Sequence, residues 1–146
     1  DIRAKIIHRL TPGGQPEAFR ENSGSSNGLT FDHSGNLIVC EMDNSQVTRR
    51  SGHGTYTAIA THADGKRLNR PNDVVVKSDG CIYFTDPWTM PWPQDQWDLE
   101  FSGVYRITPD LGRMTLLVND FVLPFEIASV LLLAAVIGAL VLVREG

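Results

Sequence analysis

Asn27-Gly-Leu-Thr-Phe-Asp-His-Ser-Gly-Asn-Leu-Ile-Val-Cys-Glu41 aligns without a gap on Asn72-Asp-Val-Val-Val-Lys-Ser-Asp-Gly-Cys-Ile-Tyr-Phe-Thr-Asp86. Each copy opens on Asn, alternates apolar residues, turns at a Gly, alternates again and closes on a carboxylate. Alternation of period two reads as a strand with one buried face, and Gly35 and Gly80 supply the turn between two such strands. The copies lie 45 residues apart, about the length of one four-stranded propeller blade. The repeat therefore predicts an all-β ring of blades.

The flanking residues extend the pattern. Residues 5–10 and 17–19 read as two strands joined at Thr11-Pro12-Gly13-Gly14, a strong turn signal. Residues 46–50 and 55–60 make a hairpin around Ser51-Gly-His-Gly54, and residues 103–108 and 114–118 another around Pro109-Asp-Leu-Gly112. No amphipathic helix separates these runs. Paired hairpins give half a blade (about residues 5–19), one blade (28–60) and a second (73–118). A propeller ring closes with roughly 4–8 blades, so about two and a half blades are expected to form only part of one. Residues 86–100 carry Pro87, Pro91, Pro93 and the tryptophans Trp88, Trp92 and Trp97. That stretch is too Pro-rich for a central strand and reads as a long loop, serving as a lid or simply pinned by its indoles.

A net charge of −4 without a Lys/Arg cluster argues against a nucleic-acid partner, which is bound mainly by neutralising phosphates. Cys40 and Cys81 lie at no metal-ligand spacing and read as small buried thiols. Asp1-Ile-Arg-Ala-Lys5 has no apolar segment of the signal-peptide kind. The chain is expected to be a fragment or a processed product.

Residues 127–143 are 17 consecutive uncharged residues, bracketed by Glu126 and Arg144-Glu145. As a helix they would span about 26 Å, at the short limit for a bilayer, and no side of that helix is polar. The tail, residues 125–146, is therefore expected to be one transmembrane α-helix following a propeller part at residues 1–124. It would place the chain at a membrane; otherwise a soluble protein of the cytoplasm or periplasm is expected.

Gly65-Lys-Arg-Leu-Asn-Arg-Pro-Asn-Asp-Val-Val-Val-Lys-Ser-Asp-Gly-Cys-Ile-Tyr-Phe-Thr-Asp-Pro87 resembles the SMP-30/gluconolactonase family, as do Asn27-Gly-Leu-Thr-Phe-Asp32 and Phe101-Ser-Gly-Val-Tyr-Arg106. The resemblance covers residues 1 to about 124 and implies part of a six-bladed propeller that hydrolyses sugar lactones. It also implies a divalent cation, commonly calcium, held by a Glu and several Asn/Asp oxygens, hard ligands that suit a hard cation. On the matching residues, Asn72 would face the channel as a metal ligand and substrate contact; by residue type alone it reads as a turn-former that caps the inner strand. Arg70 would bind the substrate's hydroxyls or carboxylate. Asn27, Asp73 and Asp86 carry turn or strand-end roles at least as readily. The family's Glu ligand would precede Asp1 and its remaining ligands would follow Pro124, so weak calcium binding or none is expected of the chain as written. The tail, from Leu123-Pro-Phe-Glu-Ile-Ala-Ser-Val130 onward, resembles a transmembrane helix of the J subunit (chain 6) of NADH–quinone oxidoreductase.

Three functions follow from these readings. The first is a fragment of a metal-dependent lactonase acting on sugar lactones. The second is a single-span membrane-anchored structural or interaction protein without catalysis. The third is a respiratory-complex membrane segment fused by accident.

Overall fold

The alternating segments fold into hairpins. In the computed structural model, which describes residues 1–52, 54–88 and 97–119, every regular element is a strand. A two-stranded sheet pairs β1 (Ile7–Arg9) with β2 (Glu17–Arg20). An antiparallel meander follows: β3 (Ser26–Phe31), β4 (Leu37–Glu41), β5 (Gln46–Arg50) and β6 (Tyr56–Ala60). A short hairpin, β7 (His62–Ala63) with β8 (Lys66–Arg67), leads to a second meander. That sheet holds β9 (Val74–Val76), β10 (Ile82–Asp86), β11 (Gly103–Ile107) and β12 (Met114–Asn119).

The repeat is visible in the turns. Gly35 and Gly80 occupy matching positions with φ of 76° and 85°, a region in which any Cβ is strained. Asp32 braces the first turn, its Oδ1 accepting the N–H of Ser34 at 2.9 Å and of Asn36 at 2.8 Å. Asp79 braces the second by accepting the N–H of Cys81 at 3.0 Å. These are the side-chain–backbone bonds that make Asp a turn residue.

The main core lies between the two meanders. Ile38, Cys40 and Val47 from the first meet Val74, Ile82, Phe84, Tyr105 and Ile107 from the second. A fully buried side chain of this size contributes roughly 1.5–3 kcal/mol. Phe84 and Tyr105 stack with centroids 5.2 Å apart, an arrangement that Gly103 permits. A Cβ at Gly103 would stand 2.5 Å from Cε2 of Tyr105. On the far face of the first meander, Leu37 and Val39 pack against Ile7, Phe19 and Tyr56.

One expectation needs correction. The fold class, a partial propeller followed by an apolar transmembrane helix, becomes an all-strand, propeller-like fold: among the described residues there is no helix, and none long and apolar enough to cross a membrane. Period-two patterning makes the strands, and Gly, Pro and Asp turns break the chain between them before a helix can start; the apolar run 127–143 lies outside the described residues. Leu29 and Phe31 follow the apolar alternation but are exposed. Their face is covered over Leu37 and Val39 by β1 and β2, and two strands do not reach across β3. The β7–β8 hairpin turns on Asp64 and Gly65, which both have positive φ, at 49° and 79°, as a two-residue Asp-Gly hairpin turn requires.

Candidate functional site

The register brings the repeated Asn and carboxylate positions to one end of the sheets. Ser26 pairs with Glu41 in the first meander, while Val74 pairs with Phe84 and Asp86 with Gly103 in the second. At this end β3 and β9 come into backbone contact. The N–H of Gly28 donates to the carbonyl of Asn72 at 2.7 Å, and a Cβ on Gly28 would stand 2.6 Å from Cα of Asp73. Gly28 and Asp73 occupy equivalent places in the two copies, so the repeat touches itself where only one partner has room for a side chain.

The segment from Asn69 to Asp73 is laid along β10 by its backbone. Asn72 N–H donates to Thr85 O at 2.8 Å, and Thr85 N–H to Asp73 O at 3.0 Å. Asn69 N–H donates to Asp86 Oδ2 at 2.8 Å. Pro71 between them is fully buried. Both backbone polar groups of Asn72 are thus engaged while its side chain stays half-buried. Arg70 turns toward the first meander, where its Nη2 lies 2.9 Å from Asp43 Oδ1. Arg70 and Asp43 line a recess of about 190 Å³ with Met42, Ser45, Asn69, Arg67 and Trp97. The structure therefore keeps Arg70 and Asn72 at the same end and gives them different neighbours. Trp92 lies outside the described residues.

The carboxylates closing the two copies have opposite chemistry. Glu41 is fully buried, yet Arg20 Nη1 at 2.6 Å, Thr48 Oγ1 at 2.7 Å, Asn44 Nδ2 at 2.7 Å and Gln46 Nε2 at 2.8 Å all donate to it. Burial opposes ionisation, but these four donors outweigh it and hold the carboxyl below its ordinary pKa. Asp86 is also fully buried, but its donors are the backbone N–H groups of Asn69 and Arg70. Its Oδ1 has no hydrogen-bond partner among the described residues. Burial dominates there and pushes the pKa up to about 7.

That shift predicts a pH dependence. Below pH 3.8, the ordinary value, Asp86 is protonated whether the chain is folded or not. Between there and about 7 only the unfolded state ionises, so this group's contribution falls as pH rises, by on the order of 4 kcal/mol over the window. Asp86→Asn should match the parent near pH 4 and exceed it above pH 7 in urea unfolding. A stability difference independent of pH would contradict this account of Asp86.

The thiols are structural. Cys40 and Cys81 are free and buried, and burial first, with the charges of Asp73 and Asp86 second, pushes the Cys40 thiol up to about 12. A group held that far from ionisation is no nucleophile at neutral pH.

Residues 1–125 match the family described as SMP-30/Gluconolactonase/LRE-like region. The chain belongs to that family. It is 33% identical over 139 residues to a gluconolactonase of Zymomonas mobilis, covering 80% of this chain and 37% of the relative. A solved gluconolactonase of Xanthomonas campestris superimposes with a TM-score of 0.73 at 27% identity, covering 81% of this chain and 41% of that one. The chain thus spans about two fifths of the length of these relatives. Over a far shorter stretch, 47 residues and 28% of the chain, it is 48% identical to NAD(P)H-quinone oxidoreductase chain 6 of Nostoc sp., of which 23% is covered.

Family membership implies a divalent cation. Calcium takes 6–8 oxygen ligands. Among the described residues no group of three or more His, Cys, Asp and Glu is placed to hold a metal ion. Asn72 offers one side-chain oxygen. Two nearby carboxylates are committed elsewhere, Glu41 to its four donors and Asp43 to Arg70, Lys5 and Ser25. Asp86 keeps one oxygen, Oδ1, unpartnered among the described residues, but it is fully buried, and a single carboxylate oxygen beside Asn72 falls well short of a cage. The described residues do not fit a calcium cage by themselves. Sequence reasoning missed Asp43, which sits in a loop 27 residues from Arg70; no local pattern marks such a pair.

Proposed function

We propose that this chain contributes the substrate-orienting part of a lactonase-type hydrolase acting on sugar lactones. The reading rests on one observation: the Arg70-Pro71-Asn72 segment is pinned by Asp86, Thr85 and Gly28 at the end where the two meanders meet, with both side chains incompletely buried. Membership of the SMP-30/gluconolactonase family supports it.

Lactone hydrolysis adds water to the ring carbonyl and breaks the ring C–O bond, leaving a hydroxy acid. Arg70 offers a planar, permanently charged fork that suits vicinal hydroxyls and the carboxylate that forms. Asn72 offers a carbonyl oxygen and an amide N–H₂, able to receive and donate at once. The backbone hold on both residues means little orientational freedom is lost when a ligand arrives. Trp97, at the edge of the same recess, supplies an apolar face of the kind sugar rings stack on.

The test is a titration of the chain with an aldonate, the ring-opened product, followed by ¹H–¹⁵N NMR. The amides of residues 69–73 should shift saturably at millimolar ligand. Arg70→Ala should weaken the affinity at least tenfold, about 1.4 kcal/mol, and Asn72→Ala by several-fold. Shifts that persist unchanged in Arg70→Ala would overturn the assignment.

A further inference from the structure

We infer that Asp43 is a positioning residue for Arg70, a proposal that rests on the reading of Arg70 as a ligand contact. Asp43 sits in the β4–β5 loop and gathers groups from three other segments. Its Oδ1 lies 2.9 Å from Arg70 Nη2. Its Oδ2 lies 3.0 Å from Lys5 Nζ and accepts the hydroxyl of Ser25. Its N–H donates to Gly24 O at 3.0 Å, which fixes the loop itself. Ser25 and Arg70 are equivalent positions of the two copies, each two residues before the repeated Asn, and both bond the same carboxylate.

The arrangement does more than join sheets. A guanidinium on a long stem has many rotamers, and ordering it for a ligand carries an entropic penalty. Asp43 removes part of that freedom beforehand by holding Nη2 of the fork. The Arg70 side chain is 22% exposed and that of Asp43 30%, so the pair stands at the rim of the recess rather than sealed beneath it. Asp43 has no acidic counterpart in the second copy, where Trp88 takes its place. The repeat architecture therefore does not require a carboxylate there.

The experiment is run on the full chain with Asp43→Asn, Asp43→Glu and Lys5→Met. The first measurement is of the guanidinium Nη–Hη signals of Arg70 by ¹H–¹⁵N NMR, since Nη2 is the atom on Asp43. A distinct, slowly exchanging signal is expected in the parent chain and in Lys5→Met, lost in Asp43→Asn and regained in Asp43→Glu. The second is aldonate affinity by the titration above. Asp43→Asn should weaken it at least fivefold, Asp43→Glu should restore most of it, and Lys5→Met should leave it unchanged. A purely structural clamp would instead change unfolding stability in Asp43→Asn and Lys5→Met alike without moving affinity. Aldonate binding that Asp43→Asn leaves intact overturns this proposal alone. Absence of binding by the parent chain overturns the reading of Arg70 and this proposal together, and an Arg70 signal insensitive to Asp43 overturns the positioning role whatever the affinity.

Discussion

Arg20→Met is expected to destabilise the chain by about 3–5 kcal/mol, the usual penalty for stripping one partner from a buried ion pair. The Glu41 side chain is fully buried and that of Arg20 only 17% exposed, with N···O at 2.6 Å. Arg20 also stacks on Tyr56, its guanidinium carbon 3.9 Å from the ring centroid. Removing it leaves a carboxylate with three neutral donors and no cation. Glu41→Gln should cost about as much by a different route. All four partners of Glu41 are donors, so an amide N–H₂ at that place meets other donors. Because Arg20 belongs to β2 and Glu41 to β4, either change also loosens the two-stranded sheet from the first meander. The sign with pH is opposite to that of Asp86. The pKa of Glu41 is lowered from 4.5, so its stabilisation is present above that value and disappears as pH falls through the lower folded value. Urea titrations at pH 3.5 and pH 7 should show the parent losing its advantage over Glu41→Gln at the acid end. An equal difference at both pH values would contradict the ionised state assigned to Glu41.

Gly28→Val is expected to prevent the native packing of the two meanders, and Gly28→Ala to cost about 3 kcal/mol or more, the upper part of the range for overpacked sites. The atoms a new Cβ would meet are Asp73 Cα at 2.6 Å, Asn72 O at 2.8 Å and Val74 N at 2.9 Å. All three are backbone, so no side chain can swing aside. The strands must part, and the Gly28–Asn72 hydrogen bond at 2.7 Å parts with them. The same displacement moves Asn72, so Gly28→Ala should weaken aldonate binding together with stability. Near-parental unfolding of Gly28→Ala would show that β3 and β9 do not approach as closely as described.

The strand pattern was legible because alternation and Gly turns are local: β4, β5, β6 and β10 fall where the apolar and turn residues put them. The carboxylates closing the two copies were legible as twins, but their protonation was not. It depends on Arg20, 21 residues before Glu41, and on Asp86 having only backbone N–H groups as donors. Leu29 and Phe31 follow the alternation and are nevertheless exposed, because burial is decided by what covers a face and not by the strand that owns it. Asn72 and Arg70 could be named as candidates from their motif, while Asp43 became visible only when folding set Arg70 beside it. The apolar residues 127–143 remain an observation about the sequence.

The most direct test of the account is the initial rate of sugar-lactone ring opening, followed by proton release at constant pH with calcium present. It should be measured for the chain and for the chain joined to the remaining blades of the Zymomonas mobilis relative. The joined protein is expected to open the lactone well above the uncatalysed rate, with kcat/KM falling at least tenfold in Arg70→Ala and in Asn72→Ala. A joined protein that folds and leaves the lactone at its uncatalysed rate, or whose rate is indifferent to both substitutions, would contradict the function assigned to this site.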